Sequence, residues 1–416
     1  MSRNTVYALV GLLVIAGGTL YWRYHQYRRS QATQREVAAL MDRTEGNSEA
    51  RIAALDSLLA RYPKDNVIRH VATYQLLRAH VEAGSSPEVI GRAVKEFLAV
   101  DSSGAAYSYV SSVYADDQAL SAADGLRYAN LALAEAEKTK RPENMNGAQW
   151  AEQRRMMIGE CQHIRGRLLT RANRLDEALT ALRAAADSVP DSPSILLDLA
   201  RVYERKDLPH EALETYMDVV RLRYDQPEAR AAIVRLYPAL YGPSISTSAV
   251  LDTLVANARH ARRAAVLADT THRAMPPFDL AGPGGQRFRS DELVGKIMVM
   301  DMWATWCEPC TRQMPLLQHA YERYGRQPGV AFLAVSFDQS PDVVAPFIER
   351  GHYTIPIAYG DRKLYESFKV QGIPTLCIID HDGVIRYQHL GFSEVGDFVE
   401  ELGWRIESLQ VARPAS

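Results

Sequence analysis

Trp303-Ala304-Thr305-Trp306-Cys307-Glu308-Pro309-Cys310 decides how the last third of this chain is read. Ahead of it, residues 297–302 form a β-prone apolar run. Behind it, residues 313–324 have a helical pattern. A cysteine pair at a strand-to-helix junction puts Cys307 at the helix N-terminus, where unpaired N–H groups and the helix dipole favour a thiolate. Cys310, one turn further in, is less exposed and can attack a mixed disulfide formed by Cys307. Pro309 has a fixed φ that the first turn tolerates. Cys307 is therefore the candidate nucleophile and Cys310 the resolving thiol of a redox-active disulfide. The competing reading, half of a structural zinc site, needs two more ligands. Cys377 and the scattered His319, His352 and His381 offer no paired spacing for that.

Working outward, residues 330–337 are a second apolar run and 343–350 a helix. Residues 376–380 form a strand, Asp382-Gly383 a hairpin turn, 384–390 its partner and 393–409 a closing helix. Strands and helices in alternation, then a hairpin and a helix, describe an α/β sheet with both faces covered. Met275-Pro276-Pro277 breaks any helix entering from the N-terminal side, which sets the start of this domain near residue 270.

Further motifs join the octapeptide: Met275-Pro276-Pro277-Phe278, Gly295-Lys296, Met314-Pro315, Gly372-Ile373-Pro374-Thr375 and Ile379-Asp380-His381-Asp382-Gly383. With them, residues 274–405, about a third of the chain, resemble the TlpA/ResA group of membrane-tethered thiol–disulfide oxidoreductases of the bacterial cell envelope. The resemblance implies a thioredoxin fold, with the residues between 337 and 371 as the group's inserted helix and strand. It implies a cis bond before Pro374, close to the cysteine pair, and a backbone at Ile373 open to an extended substrate. Cytochrome c maturation is the pathway it most readily implies, although helical repeats lie outside the group's usual pattern.

Two positions depart from that pattern. The group often has glutamate three residues after the second cysteine, and here Gln313 stands there and cannot titrate. Asp301 lies six residues before Cys307, where the group often has asparagine and thioredoxin a buried acid. Flanked by Val299, Met300 and Met302, Asp301 is expected to be buried behind Cys310. Its pKa would then be raised, and it could accept the Cys310 proton during resolution. The bland alternative is a solvated strand residue. Glu308, between the cysteines, opposes thiolate formation and so favours a reductase over an oxidase; otherwise it is a solvated carboxylate. Trp306, Glu308, Pro309 and Ile373 make up the expected substrate-facing set. Of Trp303 and Trp306, one supports the loop and the other offers a surface. Cys377 and Cys161 are expected to be buried packing residues.

Residues 31–270 read as all-helical. Asp176-Glu177-Ala178-Leu179 recurs 34 residues later as His210-Glu211-Ala212-Leu213, and Pro193 recurs as Pro227. That is the period of a tetratricopeptide repeat, a pair of antiparallel helices. Gly166, Ala178, Ala185 and Pro190 in one copy, and Ala200, Tyr203, Ala212 and Tyr216 in the next, fall at that repeat's small, aromatic and terminal-proline positions. Residues 159–226 carry the clearest units, and the flanking helices are degenerate repeats or caps. Such helices hold a protein partner or merely act as a spacer. The basic stretch at residues 258–263 reads as a solvated helix end.

Residues 6–20 carry no charge and are followed by Tyr21, Trp22 and Tyr24. About 17–20 helical residues cross a bilayer, and aromatics favour its interface. Residues 1–30 are therefore expected to be a retained single-helix membrane anchor rather than a cleaved signal. Arg23, Arg28 and Arg29 on the C-terminal flank would by themselves keep the body of the protein cytoplasmic. The need for a compartment where disulfides form, and the resembled group's location, point instead to a bacterial inner-membrane protein facing the periplasm. A length of 416 residues fits two or three domains, with 271–416 the thioredoxin-like one. Four cysteines exclude a disulfide-stapled scaffold, and a net charge of −2 gives no basis for nucleic-acid binding. No nucleotide, haem or metal motif is present, so no cofactor is expected. The expected partners are protein thiol or disulfide clients, an upstream electron donor, the membrane and a protein bound by the repeats. The rival reading is a repeat-based adaptor whose redox module is regulatory. A peroxidase reading is weaker, because the cysteine context differs.

Overall fold

The computed structural model describes residues 36–411, apart from 38, 41, 42, 45, 46, 144, 243–245, 339 and 394. The chain divides into two compact units, with the boundary between Pro190 and Asp191. The expected membrane segment, residues 6–20, lies outside the described residues. Among the described residues no helix is long and apolar enough to cross a membrane.

The first unit is helical: α1 (Ser48–Arg61), α2 (Asn66–Glu82), α3 (Pro87–Leu98), α4 (Gly104–Asp116), α5 (Ala122–Lys138), α6 (Gly147–Arg171) and α7 (Leu175–Ser188). Leu55 and Leu58 of α1 pack against Ile68, Ala72 and Leu76 of α2. The start of α6 is fixed by a capping box in which Asn146 and Gln149 bond each other's backbone N–H groups. Gly166 shows why the repeat needs a small residue there. A Cβ at that position would lie 2.6 Å from Leu182 of α7, so only glycine lets the two helices approach this closely.

The second unit begins with α8 (Pro193–Arg205), α9 (Pro209–Leu222), α10 (Pro227–Tyr241) and α11 (Thr247–Ala268). Pro193, Pro209 and Pro227 each open a helix, where a missing N–H costs nothing. Ala200 and Ala212 are fully buried and Tyr216 nearly so, as the repeat pattern requires. The 34-residue period also appears in the backbone. Asn173 and Asp207, each in the turn between paired helices, both adopt left-handed φ, 58° and 56°, a conformation Asn and Asp tolerate better than most residues.

The rest of the unit is an α/β domain. In chain order it comprises β1 (Arg273–Ala274), β2 (Asp279–Ala281), β3 (Arg287–Arg289), the single turn α12 (Ser290–Leu293), β4 (Ile297–Trp303), α13 (Glu308–Tyr324), β5 (Val330–Ser336), α14 (Val344–Arg350), β6 (Ile357–Tyr359), α15 (Arg362–Ser367), β7 (Thr375–Ile379), β8 (Val384–Leu390) and α16 (Phe398–Val411). The main sheet runs β1-β8-β7-β4-β5-β6. β5 is parallel to β4 and β6, while β7 is antiparallel to β4 and β8. All seven residues of the central β4 are buried, as expected for a strand covered on both faces. Alternation sorts them. Ile297, Val299 and Trp303 join the core under α13 and α16, whereas Met298, Met300 and Met302 join the opposite core with Cys377 and Phe368.

The basic stretch at 258–263 lies inside α11 rather than at its end, and although Arg259, His260 and Arg263 are exposed, it also carries ion pairs to α16. Arg262 on α11 donates to both oxygens of buried Glu401 on α16, at 2.6 and 3.0 Å. Arg259 and the Tyr224 hydroxyl both donate to Glu400. Between β8 and α16, the Gly396 N–H donates to the Leu222 carbonyl at 2.9 Å. The last repeat helices are thus bonded to the closing helix of the α/β domain. Leaving Glu401 buried without its arginine would be costly, so this contact fixes α11 against α16.

Candidate functional site

β4 leads into the loop at residues 304–306, and α13 then starts with Cys307 as its N-cap. Cys307 and Cys310 are joined by a disulfide, S–S 2.03 Å, with 5.2 Å between their Cα atoms. The Cys310 N–H points at Cys307 Sγ, 3.3 Å away. That first-turn amide would hydrogen-bond a Cys307 thiolate once the bond is reduced. Cys307 is 6% exposed and Cys310 1%, so of the two sulfurs Cys307 is the more accessible.

The Ile373–Pro374 bond is cis, as the resemblance implies. The Ile373 carbonyl oxygen lies 3.5 Å from Cys307 Sγ. The turn is pinned on both sides: Thr375 Oγ1 donates to the Gly372 carbonyl at 2.6 Å, and the Gly391 N–H to the Pro374 carbonyl at 2.8 Å. The expected substrate-facing residues therefore gather around one sulfur. Trp306 is 69% exposed and Glu308 is also exposed, while Ile373 is half-buried. Trp303 is the supporting tryptophan, fully buried with its ring 5.1 Å from that of Phe347 on α14.

Asp301 is 2% exposed, which removes the solvated alternative. By the alternation of β4 it lies on the same face as Val299 and Trp303, whose core includes Cys310 and Met314. Gln313 is likewise 2% exposed, and its Nε2 donates to Asp301 Oδ1 at 2.7 Å. The two departures from the group pattern are one feature. Gln313 follows Cys310 by three residues on the same helix face, and its amide holds the carboxyl that replaces the missing glutamate. Burial pushes the Asp301 pKa up to about 7, with the Gln313 hydrogen bond pulling the other way.

Cys161 and Cys377 are buried free thiols. Burial pushes their pKa values up to about 11 and about 12 respectively, so both are poor nucleophiles near neutral pH. The sequence did not single out Asp338, whose carboxylate is bonded to the loop before Cys307. A lone acid two residues past a strand carries no spacing signal. Its contact with the loop exists only because Trp303 and Ser336 stand side by side in the parallel pairing of β4 and β5.

Residues 271–388 match the AhpC/TSA family, and residues 169–236 the tetratricopeptide repeat. Over 119 residues the chain is 30% identical to the thioredoxin-like protein YneN of Bacillus subtilis (strain 168), a match covering 28% of this chain and 69% of YneN. Over 117 residues it is 29% identical to the thiol-disulfide oxidoreductase ResA of Bacillus thuringiensis (strain Al Hakam), covering 28% of this chain and 67% of ResA. A solved thiol:disulfide interchange protein of the thioredoxin family from Chlorobium tepidum TLS is 22% identical, with TM-score 0.30, covering 34% of this chain and 98% of that one.

Proposed function

The chain belongs to the thioredoxin-like thiol–disulfide oxidoreductases, and from that premise we propose that Cys307 and Cys310 are its reacting pair and that it reduces disulfides of protein clients. The observation that carries this is the disulfide at the N-cap of α13, with the cis-Pro374 turn against its outer sulfur. In the reduced pair, the Cys307 thiolate attacks one sulfur of a client disulfide. A Cys307–client bond forms, and the second client sulfur leaves as a thiolate. Cys310 then gives its proton to the Asp301 carboxylate and attacks Cys307 Sγ. The intramolecular disulfide forms, the mixed bond breaks, and the client departs with both sulfurs reduced. Two electrons have moved to the client, and an upstream dithiol must return two to the pair. An acceptor with a pKa near 7 suits a proton transfer at neutral pH. Trp306 and the Ile373 backbone would hold the client chain, and the tetratricopeptide helices a protein partner.

Direction follows from charge. The exposed Glu308 carboxylate adjoins Cys307 and opposes its thiolate. That weakens the reduced form and makes the dithiol a better reductant. Residues 6–20 would anchor the chain in the bacterial inner membrane, supported by the uncharged stretch and the aromatic residues after it; the redox domain would face the periplasm, because its clients need a compartment where disulfides form.

The test is the redox equilibrium of the full chain against thiol buffers. Because Cys161 and Cys377 are buried with raised pKa values, the titration reads the Cys307–Cys310 pair. A potential near about −270 mV, that of thioredoxin, is the expected result. A potential near about −120 mV would mean a disulfide donor and would overturn the reductase reading.

Gln313 offers a second check. In Gln313→Glu, two buried carboxyls lie within hydrogen-bond reach and cannot both ionise easily. The rise of reduction rate with pH should move upward by at least about one pH unit relative to wild type. An unmoved profile would separate Asp301 from the proton transfer.

A further inference from the structure

Beyond the end of β5 the chain leaves the sheet through Ser336, Phe337 and Asp338 beside the loop that carries Cys307. Asp338 faces that loop with both carboxylate oxygens. The Thr305 N–H is shared between them at 3.0 and 3.2 Å, and Thr305 Oγ1 donates to one at 2.7 Å. Ser336 Oγ donates to the other at 2.8 Å and accepts the Asp338 N–H at 3.1 Å. Close by, the Phe337 N–H donates to the Trp303 carbonyl at 2.8 Å, and the Cys307 N–H to the Ala304 carbonyl at 3.2 Å. One carboxylate thus ties both polar groups of Thr305 that can donate to the end of a central strand. The next two residues are Trp306, which is exposed, and Cys307.

We infer that Asp338 is a positioning residue of the exchange reaction: it fixes the loop at 304–306 that delivers Cys307 and keeps a negative charge close behind it. This rests on Cys307 being the attacking sulfur. Geometry supplies the first half. Loops between elements are the mobile part of a fold, and in-line attack on a disulfide needs Cys307 Sγ held in place. Charge-assisted hydrogen bonds are the stronger kind, and a carboxylate with three donors orders the loop more than neutral groups would. Chemistry supplies the second half. The carboxylate lies 3.0 Å from the Thr305 nitrogen, and two residues span at most about 7 Å more of chain, so it lies within roughly 10 Å of the Cys307 backbone, about one Debye length at 0.1 M ionic strength. A negative charge there acts on Cys307 as Glu308 does, against the thiolate and toward a more reducing pair.

The experiment compares Asp338→Asn, Thr305→Val and their double variant with wild type in the full chain. It measures the equilibrium with thiol buffers, the pH midpoint of Cys307 alkylation in the reduced chain, and the rate of disulfide exchange. Asp338→Asn should make the pair about tenfold easier to reduce, about 30 mV for two electrons, and lower the alkylation midpoint. Thr305→Val keeps the charge but loses one hydrogen bond. It should slow exchange while leaving the equilibrium within twofold, and the double variant should be slowed no more than Asp338→Asn alone. If Asp338→Asn does not fold, Ser336→Ala combined with Thr305→Val loosens the same carboxylate and should slow exchange. Lower thermal stability with equilibrium, alkylation midpoint and rate all unchanged would make Asp338 a purely structural residue and overturn the inference. Cys307→Ser serves as the control for the underlying reading: if that variant still exchanges disulfides, the assignment of the pair fails whatever Asp338 does.

Discussion

Cys310→Ser should arrest the chain as a covalent adduct with its clients, while Cys307→Ser captures none and loses turnover by at least about 10³-fold. The asymmetry follows from geometry. Cys307 is the N-cap of α13, receives the Cys310 N–H and is the more exposed sulfur, whereas Cys310 is sealed beneath it. Without Cys310 the mixed disulfide has no internal thiol to resolve it. Cys161 and Cys377 cannot substitute, since both are buried with pKa values well above neutral. The measurement is non-reducing electrophoresis of material captured from a lysate by wild type and each variant. Adducts specific to Cys310→Ser, released by a reductant, support an enzyme. Equal noncovalent recovery by all three would favour the rival, an adaptor that binds through its repeats. Adducts with Cys307→Ser would reverse the roles of the two sulfurs.

Local features of the sequence carried most of this site. The cysteine spacing, the strand before it and the proline of Gly372-Ile373-Pro374-Thr375 are short patterns, and the structure brings them together. The repeat was legible for the same reason: a 34-residue period is local and repeated, and its small residues prove to be packing positions. Contacts between distant segments were not legible. Arg262 and Glu401 are 139 residues apart, and Thr305 and Asp338 are 33 apart; neither pairing leaves a periodic trace. Hence the basic stretch at 258–263 read as solvated although it forms an ion-pair surface. Element ends shifted where capping or pairing decides them. The closing helix begins at Phe398 rather than Ser393, because Asp397 caps it: the Glu400 N–H donates to Asp397 Oδ1 at 2.9 Å and the Glu401 N–H to the Asp397 carbonyl at 2.8 Å. The segment before it bonds to Pro374 through Gly391 and to Leu222 through Gly396.

That segment gives the second unit a continuous path from repeat helix to redox site. Gly391 bonds the cis-proline residue, the Phe392 ring lies 5.8 Å from the Arg312 guanidinium on α13, and Gly396 bonds α9. The ion pairs of α11 with α16 brace the same end. The last tetratricopeptide helices are therefore built onto the redox domain within this unit.

Asp301→Asn should make the protein more stable at pH 8 and less active, and the two effects should share one pH dependence. In the folded chain Asp301 holds its proton up to about pH 7 because burial penalises the charge. The unfolded chain releases it near the ordinary value of 3.8. Between those values the folded state binds the extra proton, so stability falls as pH rises from about 4 to about 7 and is flat above. The full cost of ionising this group in the fold is roughly 4 kcal/mol, as an upper bound. Asparagine never incurs that cost, but its buried amide N–H groups replace a carboxyl and lack an assigned acceptor, a penalty of about 1–3 kcal/mol. The variant should therefore be more stable than wild type by roughly 1–3 kcal/mol at pH 8 and less stable at pH 4. Denaturant midpoints of the oxidised chain at the two pH values test the crossing. Activity should move the other way. Without a proton acceptor, resolution by Cys310 should slow by about 10²-fold at pH 8, and the rise in wild-type rate through pH 7 should vanish. A variant that gains stability at pH 8 yet resolves mixed disulfides at the wild-type rate would leave Asp301 a buried strain without a part in the chemistry.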